Sequence, residues 1–166
     1  QMIDIPVIEE RARQARADGA DIVVATLHCC EAEYNTAAEP FQEETAAALA
    51  ASGLVDIYVA HHAHVPRPMA LLEGGPNGNG MWVAYGMGNF ISNQTRDATG
   101  STESSTGLFG IFHGVKDEGE PARVISAEWL AVTVDAGHVV RPLIGGVAEG
   151  AVLPADEMAY RYSLMQ

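Results

Sequence analysis

Apolar side chains at Ile5, Ile8, Ala12 and Ala15 recur at helical spacing behind Asp4 and Pro6, and Asp18-Gly19 closes the run. Residues 4–18 therefore read as a helix. The pattern then changes period. Residues 21–27 (DIVVATL) are a short β-branched run between Gly19 and the polar His28, the pattern of a strand buried on both faces. Pro40 opens an Ala/Glu-rich segment that continues to Ala51 and stops at Ser52-Gly53, which predicts a second helix. Residues 55–60 (VDIYVA) predict a second strand. Strand, helix and strand in this order make a βαβ unit, with parallel strands and a right-handed crossover.

Pro66 and Pro68 keep the following segment extended, and the Gly/Asn-rich stretch 74–80 (GGPNGNG) separates two short apolar runs, 69–72 and 81–85. A hairpin is expected there. Residues 86–107 are rich in Gly, Ser and Thr, and at about twenty residues the segment is long enough for a functional loop. Residues 108–115 and 124–134 are strand candidates around a turn at 117–121, residues 139–144 add a short strand, and residues 145–150 relax into a tail. Within that tail, 151–166, residues 154–165 predict a terminal helix. There is no internal repeat.

Composition narrows the class. The chain has 166 residues, 48% of them hydrophobic, and at this length roughly 70% of the unfolded surface is buried on folding. A core needs no disulfide or structural metal. With 9 basic against 22 acidic side chains the net charge is −13, which repels polyanions and argues against a nucleic-acid partner. Cys29 and Cys30 are the two cysteines and are adjacent, a poor geometry for a mutual disulfide. They read as soft-metal ligands or as small core fillers. Gln1 is no initiator, so the chain reads as part of a longer one.

In a βαβ unit, whatever follows each strand emerges at the same edge of the sheet, where ligands of open α/β folds bind. His28 ends the first strand and His61-His62-Ala63-His64 follows the second. In an extended chain side chains two apart share a side, which groups His62 with His64 and turns His61 away with Ala63 and Val65. His28, His62 and His64 are thus expected at one cleft, either as metal ligands or as hydrogen-bonded strand-end residues. The returning strand 81–85 delivers Gly86-Met87-Gly88-Asn89 beside them. Glu31 and Glu33 are acid/base candidates or supports for a ligand, or solvated loop carboxylates. His113 and His138 stand alone and read as structural or exposed. The Ser/Thr cluster at 99–106 lacks a G-x-S-x-G elbow and a nearby base.

LHCC-EAEY, Gln42 on the second helix, VDIYVAHHAHVPRP and YGMGNFIS, in that order, resemble the bacterial capsule-synthesis family. This CapA, or poly-γ-glutamate biosynthesis, family belongs to the calcineurin-like metallophosphoesterase superfamily. The resemblance runs from about residue 5 to residue 134. It implies an α/β fold, a metallophosphoesterase-like sandwich of mixed sheets flanked by helices. Here that is a partial domain, with residues 1–150 as its C-terminal half. It further implies that His28, His62 and His64 are metal ligands and that Asn89 lies close to the site. The sequence departs from the family pattern where Cys29-Cys30 replace Trp-Gly, where one more residue precedes Glu33-Tyr34, and where Ala60 replaces a common glycine.

The superfamily's Asp-x-His, Gly-Asp and Asn-His motifs do not occur in these residues. Three neutral imidazoles cannot by themselves neutralise two divalent ions held about 4 Å apart. The missing N-terminal half of the same domain is therefore the first expected partner, and the chain alone is expected to bind metal weakly and to be inactive. For the complete protein the resemblance implies a metal-dependent hydrolase or transferase of capsule or poly-γ-glutamate biosynthesis, acting on phosphoester or amide bonds. Divalent ions (Mn, Fe or Zn), paired in the complete protein, would be the cofactor, with His61 or Glu33 handling a proton. By the same resemblance, the other expected partner is an anionic surface polymer or its precursor, and the expected place is the cell envelope or the outside of the cell, with an anchor upstream of Gln1. A non-catalytic component that binds or exports the polymer is the alternative.

Overall fold

The structure, a computed structural model, describes residues 3–28, 32–92, 94, 99–101, 106–135, 137–143 and 154–163. Expectations for Cys29, Cys30 and Glu31, for the tail at 144–153 and for most of the Ser/Thr cluster fall outside them.

Helix α1 (Ile5–Ala17) begins where Asp4 accepts a hydrogen bond from the Val7 amide, with Pro6 in its first turn. That Asp–Pro start satisfies one exposed donor and presets the helical φ. After β1 (Val24–His28) comes helix α2 (Pro40–Ser52), capped by Glu39 and closed by Gly53 at φ 68°. Strands β2 (Ile57–His61), β3 (Met69–Leu72) and β4 (Met81–Ala84) complete a four-stranded sheet in the order β1-β2-β4-β3. β1, β2 and β4 are parallel and β3 is antiparallel to β4. The GGPNGNG stretch makes the reversal between β3 and β4 around a short 3-10 turn at Pro76–Gly78.

The core lies between this sheet and the helices. Ala12 of α1 and Ala46, Leu49 and Ala50 of α2 pack with Tyr58, Ala60, Met81, Val83 and Tyr85. Complete burial of a side chain such as Leu49 contributes about 1.5–3 kcal/mol. At the lower end of the sheet the buried Asp56 carboxylate accepts from the Val23 amide at 2.7 Å and pairs with Arg16. α1, β1 and β2 are fastened together there.

Strands β5 (Thr106–Val115), β6 (Arg123–Val134) and β7 (Val140–Pro142) form a second, antiparallel sheet with an irregularity between His113 and Gly114. It meets the first sheet through the segment after β4. Leu108 donates its amide to Met87 O at 2.7 Å, and Asn89 donates to Thr106 O at 3.1 Å. Helix α3 (Ala155–Ser163) is tied to β6 by Arg161, which donates to Thr133 Oγ1 at 2.7 Å. The fold is thus α/β, with one mixed and one antiparallel sheet, consistent with a partial metallophosphoesterase-like domain.

Two readings of the sequence need correction. β1 is not buried on both faces: it is the edge strand, its exposure alternates, and Val24 is 52% exposed. A β-branched run shows that a segment prefers an extended backbone, but not which neighbours cover it. The stretch after β2 is also not extended, since His62 and His64 have φ of 97° and 61°. This matters directly for the site.

Candidate functional site

Parallel pairing sets the first contact. β1 and β2 pair so that His28 is opposite His61, and laterally paired residues of a sheet project to the same face. The two rings accordingly stack, with centroids 6.2 Å apart and planes inclined by 16°. His61 therefore lies beside His28, and its expected turn away from the cleft does not occur. β2 extends one residue further than its apolar pattern, so His61 belongs to the face of Ile57 and Val59.

Beyond His61 the chain bends. The left-handed backbone at His62 brings its ring to 5.3 Å from that of His28, edge to face, and His64 lies 6.2 Å from His62. Positive φ at a non-glycine residue costs energy and persists only where the surroundings impose it. Two such residues within three positions, at the end of a parallel strand, mark a built feature. His28, His61, His62 and His64 line one cavity of about 100 Å³, with Ala63, Val65 and the segment from Gly86 through Asn89 as its other walls. His28 is exposed, and the other three are half-buried.

Hydrogen bonds orient His64. Its Nδ1 is 2.9 Å from Asn89 Oδ1, and Asn89 Nδ2 donates to Gln94 Oε1 at 2.8 Å. With the Asn89 amide oriented in that sense, the Asn89 oxygen faces His64 as an acceptor, the arrangement that suits the tautomer with the proton on His64 Nδ1. Nε2 is then the nitrogen with a lone pair. The opposite flank of His64 is covered by Tyr34, whose ring lies at 6.1 Å and 28°. Tyr34 itself has φ 61° and donates its amide to Ala63 O at 2.8 Å. Its hydroxyl pKa is raised by desolvation and by the neighbouring Glu33 carboxylate. Burial, and secondarily the neighbouring His28, lowers the His61 pKa and favours a neutral imidazole. Glu33 is exposed and does not line the cavity.

These side chains fit a metal in kind but do not form a finished site. Two imidazoles sharing one tetrahedral ion would have ring centroids about 5 Å apart, near the observed His28–His62 separation. Among the described residues, however, no three His, Cys, Asp or Glu side chains are grouped to hold an ion. The donors are all imidazoles, and a dinuclear centre is not completed by them.

Several residues at the site escaped sequence reasoning. Gln94 carries no periodicity or spacing signal, and Tyr34, Gln42 and Arg67 attracted notice only within the family pattern. His113 is exposed and 3.2 Å from Glu128, and His138 sits in the β6–β7 turn at φ 59°. Neither lines the cavity.

Residues 3–94 match the family described as Bacterial capsule synthesis protein PGA_cap. A stretch of 100 residues, 58% of the chain, is 35% identical to "PGA biosynthesis protein CapA" of Bacillus subtilis (strain 168). The match covers 23% of that relative, so the chain spans about a quarter of its length. The matched family region contains the first sheet, both of its helices and the whole histidine cavity.

Proposed function

Because the chain belongs to the bacterial capsule synthesis family, we propose that it supplies the histidine half of a metal-dependent hydrolase or transferase of capsule or poly-γ-glutamate biosynthesis. The observation that carries this reading is the convergence of four imidazoles at the C-terminal edge of parallel strands, the ligand-binding edge of open α/β sheets. His28, His62 and His64 would hold a divalent ion, and oxygen ligands from outside these residues would complete the site. A bound ion supplies Lewis acidity at a phosphoester or amide oxygen.

The chain's own residues have separable tasks. His64 presents Nε2 because Asn89 holds Nδ1. His61, kept neutral by burial, accepts a proton at neutral pH more readily than it donates one. Glu33, exposed beside Tyr34 and outside the cavity lining, would exchange a proton with the part of a substrate that extends beyond the cavity.

The anionic polymer, or a precursor of it, is the proposed substrate. Arg13, Arg16, Arg67, Lys116, Arg123, Arg141 and Arg161 each sit against a carboxylate. These side chains therefore form no open cationic track, which speaks against polymer binding as the chain's sole role. A polyanion would be met at the imidazole cavity. The envelope is the proposed place of action, since a surface polymer is assembled there; among the described residues no helix is long and apolar enough to cross a membrane.

The test is hydrolysis of an artificial phosphodiester and of a γ-glutamyl amide by the chain extended through its upstream gene sequence, with Mn, Zn or Fe added. Metal-dependent turnover of either substrate, lost in His62→Ala and His64→Ala, is expected. Turnover that persists in both variants and in chelator would overturn the assignment.

A further inference from the structure

Residues 32–39, ahead of α2, form no helix or strand, yet Tyr34 is held there at φ 61° against His64. Something must impose that conformation. Arg67 follows the histidine bend by three residues, is 3% exposed, and spreads its guanidinium over acceptors from different segments. Its Nε donates to Asn35 O at 2.7 Å and its Nη2 to Ala32 O at 2.9 Å. Those two carbonyls bracket Glu33 and Tyr34. Its Nη1 donates to Gln42 Oε1 at 2.6 Å, and Gln42 Nε2 donates onward to Tyr85 O at 2.7 Å. Glu39 supplies the countercharge at 3.4 Å and also accepts the Ala32 amide at 2.8 Å. The backbone of Arg67 joins in, its amide donating to Gly86 O at 3.0 Å.

We propose that Arg67 is a positioning residue of the histidine site: it ties the turn at 32–35, the start of α2 and the end of β4 to the His62–His64 bend, and thereby seats Tyr34 on His64. The proposal deepens the reading of the cavity as the functional centre and rests on it for its significance, though its test does not. The chemistry favours arginine specifically. A planar fork of donors reaches four acceptors in different directions, whereas a lysine ammonium is a single point with three donors. Burying this cation without its partners would be prohibitive, so the surrounding carbonyls and Glu39 are as necessary to Arg67 as it is to them.

The experiment uses the full 166-residue chain, without metal or substrate, and compares wild type with Arg67→Lys by NMR. Two readouts are taken: amide hydrogen exchange at Tyr34, whose N–H is bonded to Ala63 O, and the ring-proton shifts of His64 beneath the Tyr34 ring. In Arg67→Lys, Tyr34 exchange should accelerate about ten- to a hundredfold, as expected when charge-assisted hydrogen bonds holding a local segment are lost. The His64 ring signals should move to the positions they take in Tyr34→Ala, while Val59 and Ala60 of β2 keep their protection. Unchanged Tyr34 exchange and His64 shifts would overturn the proposal. Equal acceleration at Val59 and Ala60 would overturn it too, because Arg67 would then support only the fold. If Arg67→Lys does not fold, Gln42→Ala removes one anchor and carries the same expectation, smaller in size, with the same overturning results. Metal content plays no part in these readouts, so failure here is distinct from failure of the proposed chemistry.

Discussion

Replacing Gly88 by alanine should damage the site through its backbone. Gly88 has φ 68°, and a Cβ built there would lie 2.6 Å from Thr106 O, 2.9 Å from Pro66 Cδ and 3.0 Å from Gly107 Cα. Two of these are backbone atoms at the start of β5, and the third belongs to a proline ring, so no flexible side chain end can yield. The left-handed conformation alone costs a non-glycine residue about 1–2 kcal/mol, and forced displacement of packed neighbours adds about 1–3 kcal/mol. The expected loss is therefore roughly 2–5 kcal/mol, a large share of the roughly 5–15 kcal/mol that stabilises a typical domain. Gly119 provides the control: its φ is 82°, but nothing lies within 4 Å of a Cβ there. Gly119→Ala should lose only the conformational share. Urea unfolding separates the two, because the steric share of about 1–3 kcal/mol divided by a slope of about 1–3 kcal/mol per molar urea puts the Gly88→Ala midpoint about 0.3–3 M below that of Gly119→Ala. The Asn89 amide bond to Thr106 O should weaken with it, releasing the Asn89 side chain from His64. Equal midpoints for the two variants would refute the steric reasoning.

Three further outcomes follow from named contacts. Asp56→Ala strips Arg16 and the Val23 amide of a buried partner, so urea unfolding should show a loss of about 3–5 kcal/mol, as for a broken buried ion pair. The Asp135 pKa is lowered by the Val139 amide and by Arg141, with the Gly137 amide adding to them against desolvation. Its contribution is therefore present above the ordinary carboxylate pKa and is lost as pH falls through the depressed folded value, so melting temperature should drop toward low pH less steeply in Asp135→Asn than in wild type. Asn89→Ala should leave the sheet intact but lower divalent-metal affinity of the upstream-extended protein about 10- to 100-fold, the usual effect of losing the partner of a ligating histidine, as read by competition with a chelating dye.

The elements that place the site could be read along the chain because each has a local cause. Asp4-Pro6 and Pro40 start helices, β-branched runs end at His28 and before His61, and GGPNGNG reverses the hairpin that returns Asn89 to the histidines. What could not be read depends on partners distant in sequence. The side taken by His61 follows from its register with His28, and an extended chain through His62 and His64 would have put the cleft on the opposite face. Histidine tolerates left-handed φ better than most residues, yet its default is extended, so the bend at His62 has no local signature. Arg67, alone between two prolines, gives no hint that it will bind carbonyls more than thirty residues upstream.

We propose that the imidazole cavity holds a divalent metal. Elemental analysis of the upstream-extended protein, purified without chelator, beside its His28→Ala, His62→Ala and His64→Ala variants, tests this most directly. Near-stoichiometric divalent metal is expected in the parent, with its loss in each folded variant. A folded parent that is free of metal, and remains so after incubation with Mn, Zn or Fe, would contradict it.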